Sequence, residues 1–506
     1  MSSSVANAHV LLRLGFRRTL ATPTLPIPAA ALRSTCLLPK FRSIRRRYNR
    51  RNLLFQIAVI DEGPGDIPSL EEESSGVCGG KSFYNAYSSE GEESDGDLLV
   101  YPYVDVDLPV NKNRVETPDA SLTVATHRFS NLRQARKRRR IRAGVLINFW
   151  LITFIGVFLL WFDWCSWRII RLPLKPFFLT QPFTLSAILS AFAGFIYVPL
   201  VDNMKIHQIL RKEGPSTHSS KCGTPTMGGL FFIPIGIIVS RFVVGDSSIQ
   251  VNGAMVATLS FAAIGLLDDL LSCIKSHNYG LSGWVKLSLQ VAAGTLFSFW
   301  LDSASIPTPY NMKLLAPLPP PFGLVYLGKL YLVLTTFSFA AMGNGVNLTD
   351  GLDGLAGGAA ALAFVGMSVA VIAICPDLAV FGASMAGSCI GFLFHNRYKA
   401  SIFMGDTGSL ALGGALAAMA SCTGMFFPLF VTSGLFFMEV MSVIIQVLHM
   451  KATERFYGVR RRFFRMAPVH HHFELCGFKE PVIVASAYVI SYILALFAGY
   501  IGLISA

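Results

Sequence analysis

Charge is scarce in this chain. Only 14% of its 506 residues are Asp, Glu, Lys or Arg, and 52% are apolar; soluble domains carry about 25% charged residues. That balance excludes a water-soluble enzyme and a disordered binder, because too few polar groups are present to cover or replace the apolar surface. Nine cysteines form no CxxC pair, so they supply neither a metal framework nor a disulfide argument.

Acidic residues are absent from positions 1–60, which hold ten Arg, among them Arg45-Arg46-Arg47 and Arg50-Arg51, in a background of Ser, Thr, Ala and Pro. Without a compact apolar core this is no secretory signal, and the composition predicts an organelle transit peptide. The Met1-Ser2-Ser3-Ser4 start leans towards a plastid, and hence a chloroplast membrane. Residues 61–119 invert the sign, with 15 of the 30 acidic residues, and a second basic block runs from Arg128 to Arg142. Residues 61–142 are therefore expected to be an acidic, then basic, disordered linker. The basic block ends where the first apolar run begins, so it reads as a topology signal, and no nucleic-acid partner is expected.

From Ala143 onward apolar runs recur at 143–162, 184–201, 227–244, 252–270, 284–301, 324–343, 355–375, 378–395, 409–422, 425–448 and 481–504. Each backbone polar group in hydrocarbon needs an internal partner, and no run alternates with period two, so the spans are helices. The fold class expected is an all-α polytopic membrane protein. If the basic block stays on the side of insertion, loops 202–226, 271–283, 344–354, 396–408 and 449–480 share one face. Asp268, Asp269, Asp350, Asp353 and Asp406 all fall at span ends on that face. An acid at a helix centre costs roughly 2.5–3.5 kcal/mol on insertion scales, less near the ends, so these five are functional candidates.

Three motifs carry them. Leu267-Asp268-Asp269 pairs two carboxylates that repel unless a cation or a proton intervenes; oxygen ligands of this kind suit Mg²⁺. Asn344 to Leu355 alternates amides and carboxylates with glycines, which lets backbone approach a ligand. It is no calcium loop, because no bidentate Glu closes it. Phe403-Met404-Gly405-Asp406-Thr407-Gly408-Ser409 starts a span, where helix N–H groups favour phosphate beside a metal held by Asp406. Lys221, Lys275 and Lys286 add positive charge on the same face. His470-His471-His472 cannot all point one way on a helix, so a substrate-binding loop is favoured over zinc. Acids, glycines and lysines on one face point to phosphoryl transfer at a bilayer surface. A secondary transporter would instead place its charges near the midplane between inverted repeats, and no repeat is present.

Taken in order, PTMGG at 225–229, LDD at 267–269, NxxNxxDGLDGL at 344–355, FMGDTGSLALGG at 403–414 and RMAPVHHHFEL at 465–475 resemble the phospho-N-acetylmuramoyl-pentapeptide transferases, a branch of the polyprenyl-phosphate N-acetylhexosamine-1-phosphate transferases. The likeness runs from about Thr184 to the C-terminus. It implies about ten core transmembrane helices in 184–506, with 143–183 an extra N-terminal transmembrane segment.

It also implies transfer from UDP-N-acetylmuramoyl-pentapeptide to a polyprenyl phosphate, giving lipid I and UMP. The alternative is the sister N-acetylglucosamine-1-phosphate transfer. By resemblance Asp406 holds Mg²⁺, and Asp268 with Asp269 deprotonates or orients the lipid phosphate. Lys221, Gly351, Leu352, Asp353, Asn396 and Phe403 line the nucleoside pocket; Asn344, Asn347 and Asp350 shape the cleft; His470, His471 and His472 bind the nucleotide-sugar end. Thr226 and Lys286 complete the substrate-binding set. The setting expected is the chloroplast inner envelope with the active face towards the stroma, with a homodimer as the candidate assembly. One departure stands out: the family's Tyr and Lys after the Asp pair are Leu270 and Ser272 here, so one phosphate-binding cation is either missing or replaced by Lys275.

Overall fold

The structure is a computed structural model and describes residues 143–169, 171, 174–207, 221, 223–275, 280–304 and 315–505. The transit-peptide and linker segments lie outside the described residues, as does the Lys275 side chain.

The described chain is a bundle of thirteen helices and one small hairpin. In order they are α1 Ala143–Arg168, α2 Thr180–Asn203, α3 Gly229–Val244, α4 Ile249–Lys275 and α5 Gly283–Ser303. Next come β1 Leu315–Pro317 and β2 Leu324–Tyr326, paired antiparallel with Leu315 opposite Tyr326. The rest are α6 Leu330–Thr349, α7 Leu355–Val371, α8 Pro376–Asn396, α9 Gly405–Thr423, α10 Phe426–Thr432, α11 Gly434–Tyr457, α12 Val469–Leu475 and α13 Glu480–Ser505. Six of these, α1, α2, α4, α8, α11 and α13, are long and apolar enough to cross a membrane.

Small residues set the centre. All of α7 and nearly all of α8 and α9 are buried, which suits their run of Gly, Ala and Ser: between helices in lipid, close packing replaces the hydrophobic drive that water would supply. A Cβ at Gly413 of α9 would collide with the backbone of Met342 and Gly343 on α6, and one at Gly387 of α8 would strike the Phe183 carbonyl on α2. Around this core α2 and α3 pack on α8, α4 and α6 on α9, and α13 on α7.

Two span boundaries differ from the sequence reading. The run expected at 324–343 begins in the hairpin, since prolines at 317 and 319–321 and left-handed Gly323 and Gly328 hold 315–328 out of helix; the helix starts at Leu330 and takes in Asn344 and Asn347. The run at 425–448 is broken at Ser433 into α10 and α11, and α11 continues to Tyr457, beyond the apolar stretch.

Helix α1 is docked. Its buried Asp163 accepts hydrogen bonds from the backbone N–H of Leu179 at 3.2 Å and of Thr180 at 2.9 Å, and from the Thr180 hydroxyl at 2.7 Å, so it caps the N-terminus of α2 from a neighbouring helix. Phe154 meets Tyr492 of α13 with ring centroids 6.0 Å apart.

Candidate active site

The loops placed on one face by counting spans come together in space. The first contact is between the PTMGG turn and the segment before α9: Phe403 N–H donates to the Pro225 carbonyl at 2.8 Å, Gly228 N–H to Phe403 at 2.9 Å and Gly229 N–H to Met404 at 2.9 Å. Thr226 is buried in that turn. This pairing fixes where α9 starts.

Asp269 then caps α9. Its carboxylate accepts the N–H of Asp406 at 3.0 Å, the N–H of Thr407 at 2.9 Å and the Thr407 hydroxyl at 2.6 Å, satisfying donors at the positive end of the helix dipole. Gly405 permits the approach: it has φ +74°, and a Cβ there would press on the Asp269 carboxylate. Asp269 is thereby committed to holding Asp406 in place.

Asp268, on the next position of α4, points elsewhere. One oxygen accepts the Leu281 N–H at 2.8 Å and the other lies 3.1 Å from Lys286 Nζ. The same ammonium donates to Asp406, and the Asp268 and Asp406 carboxyls are close enough to hydrogen-bond to each other. Asn347 of α6 faces Asp406, with its amide nitrogen buried and short of a well-formed hydrogen bond. Asn344, one turn earlier, donates to Gln290 of α5 at 2.7 Å and so braces the helix that carries Lys286.

Asp350 lies just past α6 within electrostatic reach of Asp406, Asp269 and Asp353; burial first, and those carboxylates next, push its pKa up to about 8. Asp350 therefore holds its proton at neutral pH, while Asp268, Asp269 and Asp406 still outnumber the single Lys286 ammonium.

A second lysine knots the other half of the face. Lys221 Nζ lies 2.8 Å from Asp353 and 2.7 Å from Glu480 at the start of α13. Burial disfavours the Lys221 ammonium, yet Glu480 and Asp353 more than offset it and raise its pKa above the ordinary lysine value. Glu480 also accepts the Asp353 N–H at 2.7 Å, and Asp353 accepts the Ala400 N–H at 3.0 Å. Asn396 accepts the Gly354 N–H at 3.0 Å and donates to the Ile402 carbonyl at 2.8 Å, while Tyr488 donates to the Gly354 carbonyl at 2.7 Å. Buried Leu352 plugs the loop, and half-buried Phe403 borders it.

The three histidines diverge. His470 is 2% exposed, with Nδ1 3.2 Å from an equally buried Glu439 of α11, and it packs with His471 against Gly351, where a Cβ would not fit. His471 Nδ1 pairs with Glu474 at 2.6 Å. His472 turns away, accepting the Arg465 N–H at 3.2 Å. Glu439 and Glu480 are absent from the sequence-derived set, although an acid within the 425–448 run and another at the start of the last span both met the criterion of charge where lipid is expected.

Among the described residues no three His, Cys, Asp or Glu side chains form a ready metal cage. The Asp268–Asp406 pair fits a hard divalent cation of the kind that takes one or two protein carboxylates and completes its shell with water and phosphate; the surplus of carboxylates over ammonium groups favours such an ion.

Comparison with known proteins gives the family. A family model described as Glycosyl transferase family 4 matches residues 251–424, and phospho-N-acetylmuramoyl-pentapeptide-transferase signature 1 matches residues 221–233. The phospho-N-acetylmuramoyl-pentapeptide-transferase of Trichormus variabilis is 44% identical over 342 residues, 68% of this chain and 91% of that protein. Its namesake in a Nostoc species is 44% identical over 67% of this chain and 90% of its own length, and that of Synechocystis 43% identical over 62% and 84%. The architecture is that of a polytopic membrane glycosyl transferase of family 4, and within that class the chain belongs to the phospho-N-acetylmuramoyl-pentapeptide-transferase family.

Proposed function

We propose that this chain transfers phospho-N-acetylmuramoyl-pentapeptide from its UDP carrier to a polyprenyl phosphate at the membrane surface. The observation that carries the reading is the lysine-bridged Asp268–Asp406 pair, with Asp269 beside it, placed where the motif-bearing loops of one face meet. A phosphate oxygen of the lipid attacks the sugar-linked phosphorus of the donor; the bond from that phosphorus to the bridging oxygen breaks, and the oxygen departs as part of UMP. One pyrophosphate linkage replaces another, so no outside energy source is required.

Asp268 orients the acceptor phosphate or takes its proton, with its charge steadied by Lys286 and the Leu281 N–H. Lys286 offers positive charge to the phosphates, and the Asn347 amide supplies a donor. Asp269 works through Asp406 as a positioning residue. Mg²⁺ held by Asp406, when bound, neutralises the donor phosphates and the charge that develops on the leaving phosphate. The loop from Asp350 to Gly354, fixed by Lys221, Glu480 and Asn396, forms the nucleoside side of the cleft, and His471, packed against that loop, the sugar side.

The acid-free, arginine-rich N-terminus and the cyanobacterial source of the relatives named above support a plastid setting: import into the chloroplast and residence in its inner envelope with the active face to the stroma. Residues 1–60 fused to a fluorescent protein test that address, and accumulation outside plastids overturns it. For the reaction, the purified chain is given labelled UDP-N-acetylmuramoyl-pentapeptide and polyprenyl phosphate, with and without Mg²⁺, beside UDP-N-acetylglucosamine as competitor. Lipid product that requires Mg²⁺ and the muramoyl donor is expected; product from the glucosamine donor alone rejects the reading.

A further inference from the structure

The distal half of α11 ends in a feature the transferase reading leaves unused. Ile444, Ile445, Val447 and Leu448 are each at least 40% exposed on this stretch, so it presents apolar surface in several directions. At Gly458, with φ +68°, the chain reverses. The returning segment is then zipped onto the helix: Gln446 Oε1 accepts the N–H groups of Phe463 at 3.1 Å and Phe464 at 2.9 Å, and Gln446 Nε2 donates to the Phe464 carbonyl at 3.3 Å. Thr453 Oγ1 accepts the Arg461 N–H at 3.0 Å, and His449 Nδ1 lies 3.0 Å from the Arg461 carbonyl. Gln446 and Thr453 are both buried. A backbone held by these contacts is a built platform.

What the platform displays is unusual for a surface meeting water alone. Arg455, Arg460, Arg461 and Arg462 are exposed, and interleaved with them stand Phe456, 77% exposed, Tyr457, 71%, and Phe463, 61%. Only Glu454, 2.8 Å from Arg460, offsets the charge among residues 451–465, and Arg461 lies over the Tyr457 ring at 5.8 Å from its centroid. Aromatic rings settle at the lipid–water boundary and long basic side chains reach from it to headgroup phosphates. A soluble anion would gain nothing from three exposed rings, whereas a bilayer surface engages rings and guanidinium groups together.

We propose that the reversed turn at 455–463 docks on the anionic headgroups of membrane lipids, anchoring the end of α11 and the segment that leads into the histidine loop. Binding is read independently of catalysis, so this proposal and the transferase reading stand or fall separately.

The test is a titration of the purified full chain in neutral detergent with phosphatidylglycerol or phosphatidylcholine, followed by native mass spectrometry. Preference for phosphatidylglycerol that weakens with salt is expected. In the triple variant R460Q/R461Q/R462Q affinity for that lipid falls on the order of a hundredfold, at about 1 kcal/mol for each basic residue at an anionic surface, while R460K/R461K/R462K retains it and F456S/Y457S loses part of it. A photoactivatable phosphatidylglycerol should also label residues 451–465 of the wild-type chain, a readout that needs no variant. Equal lipid affinity in the wild type and the glutamine variant, labelling confined to other segments, or displacement of the lipid by millimolar inorganic phosphate or UDP would each overturn the proposal.

Discussion

Two lysines on one face make the same gesture with opposite meaning. Lys286 bridges Asp268 and Asp406; Lys221 bridges Asp353 and Glu480. Around Lys221 the carboxylates are used up: Glu480 takes the Asp353 N–H and Asp353 takes the Ala400 N–H, so the cluster ties α13 to the loops beside α7 and α8. Around Lys286 the account is left open, because three carboxylates, Asp268, Asp269 and Asp406, share one ammonium and Asn347 keeps a donor in reserve. An ion pair whose lone pairs are all taken is a fastener. One left with surplus charge is poised to receive a cation and a phosphate.

The largest effect should come from opening the second kind of cluster. Asp406→Asn is expected to lower kcat by about 10²–10³-fold, the scale of losing one charge-stabilising group, with the thermal midpoint little changed; activity within tenfold of wild type would remove Asp406 from the chemistry. Lys221→Met should do the reverse, leaving Asp353 and Glu480 to repel one another at a cost of about 3 kcal/mol of stability, read by thermal unfolding in detergent, and K221M/E480Q should recover part of it. Because Lys221 has a folded pKa above its ordinary value, its stabilisation is complete below that ordinary value and fades only as pH rises through the folded one. The gap between wild type and variant should thus be flat across neutral pH.

Asp269→Asn sharpens the contrast within one motif. It weakens the cap on α9, with an expected loss of about 1–2 kcal/mol and a fall in activity that tracks the misplacement of Asp406. Retained stability with lost activity would instead make Asp269 a direct participant. The smallest effect is expected at Asp163→Ala, about 1 kcal/mol from the α2 cap with transfer within twofold of wild type, since among the described residues this carboxylate hydrogen-bonds to Leu179 and Thr180 rather than to the site.

Much of this was legible before any coordinates. Counting spans put Asp268, Asp269, Asp350, Asp353 and Asp406 on one face, and apolar runs located the helices, because both rest on the cost of polar groups in lipid, a property of composition. Partners were not legible. Lys221 and Glu480 are 259 residues apart in sequence, and the division of labour between adjacent Asp268 and Asp269 depends on which way each leaves α4. The break at Ser433 was hidden by apolar residues on both sides, and the histidine run gave no sign that His470 would sink against Glu439 while His472 turned outward.

The bond between Asp163 and the start of α2 also bears on how the chain enters its membrane. A carboxylate inside the first span would resist insertion if that helix went in alone. Its partners lie sixteen and seventeen residues further on, on the next helix to emerge during synthesis. The two spans can therefore cross as a hairpin that neutralises its own polar burden, delivering to the later helices a preformed wall on which α8 can settle.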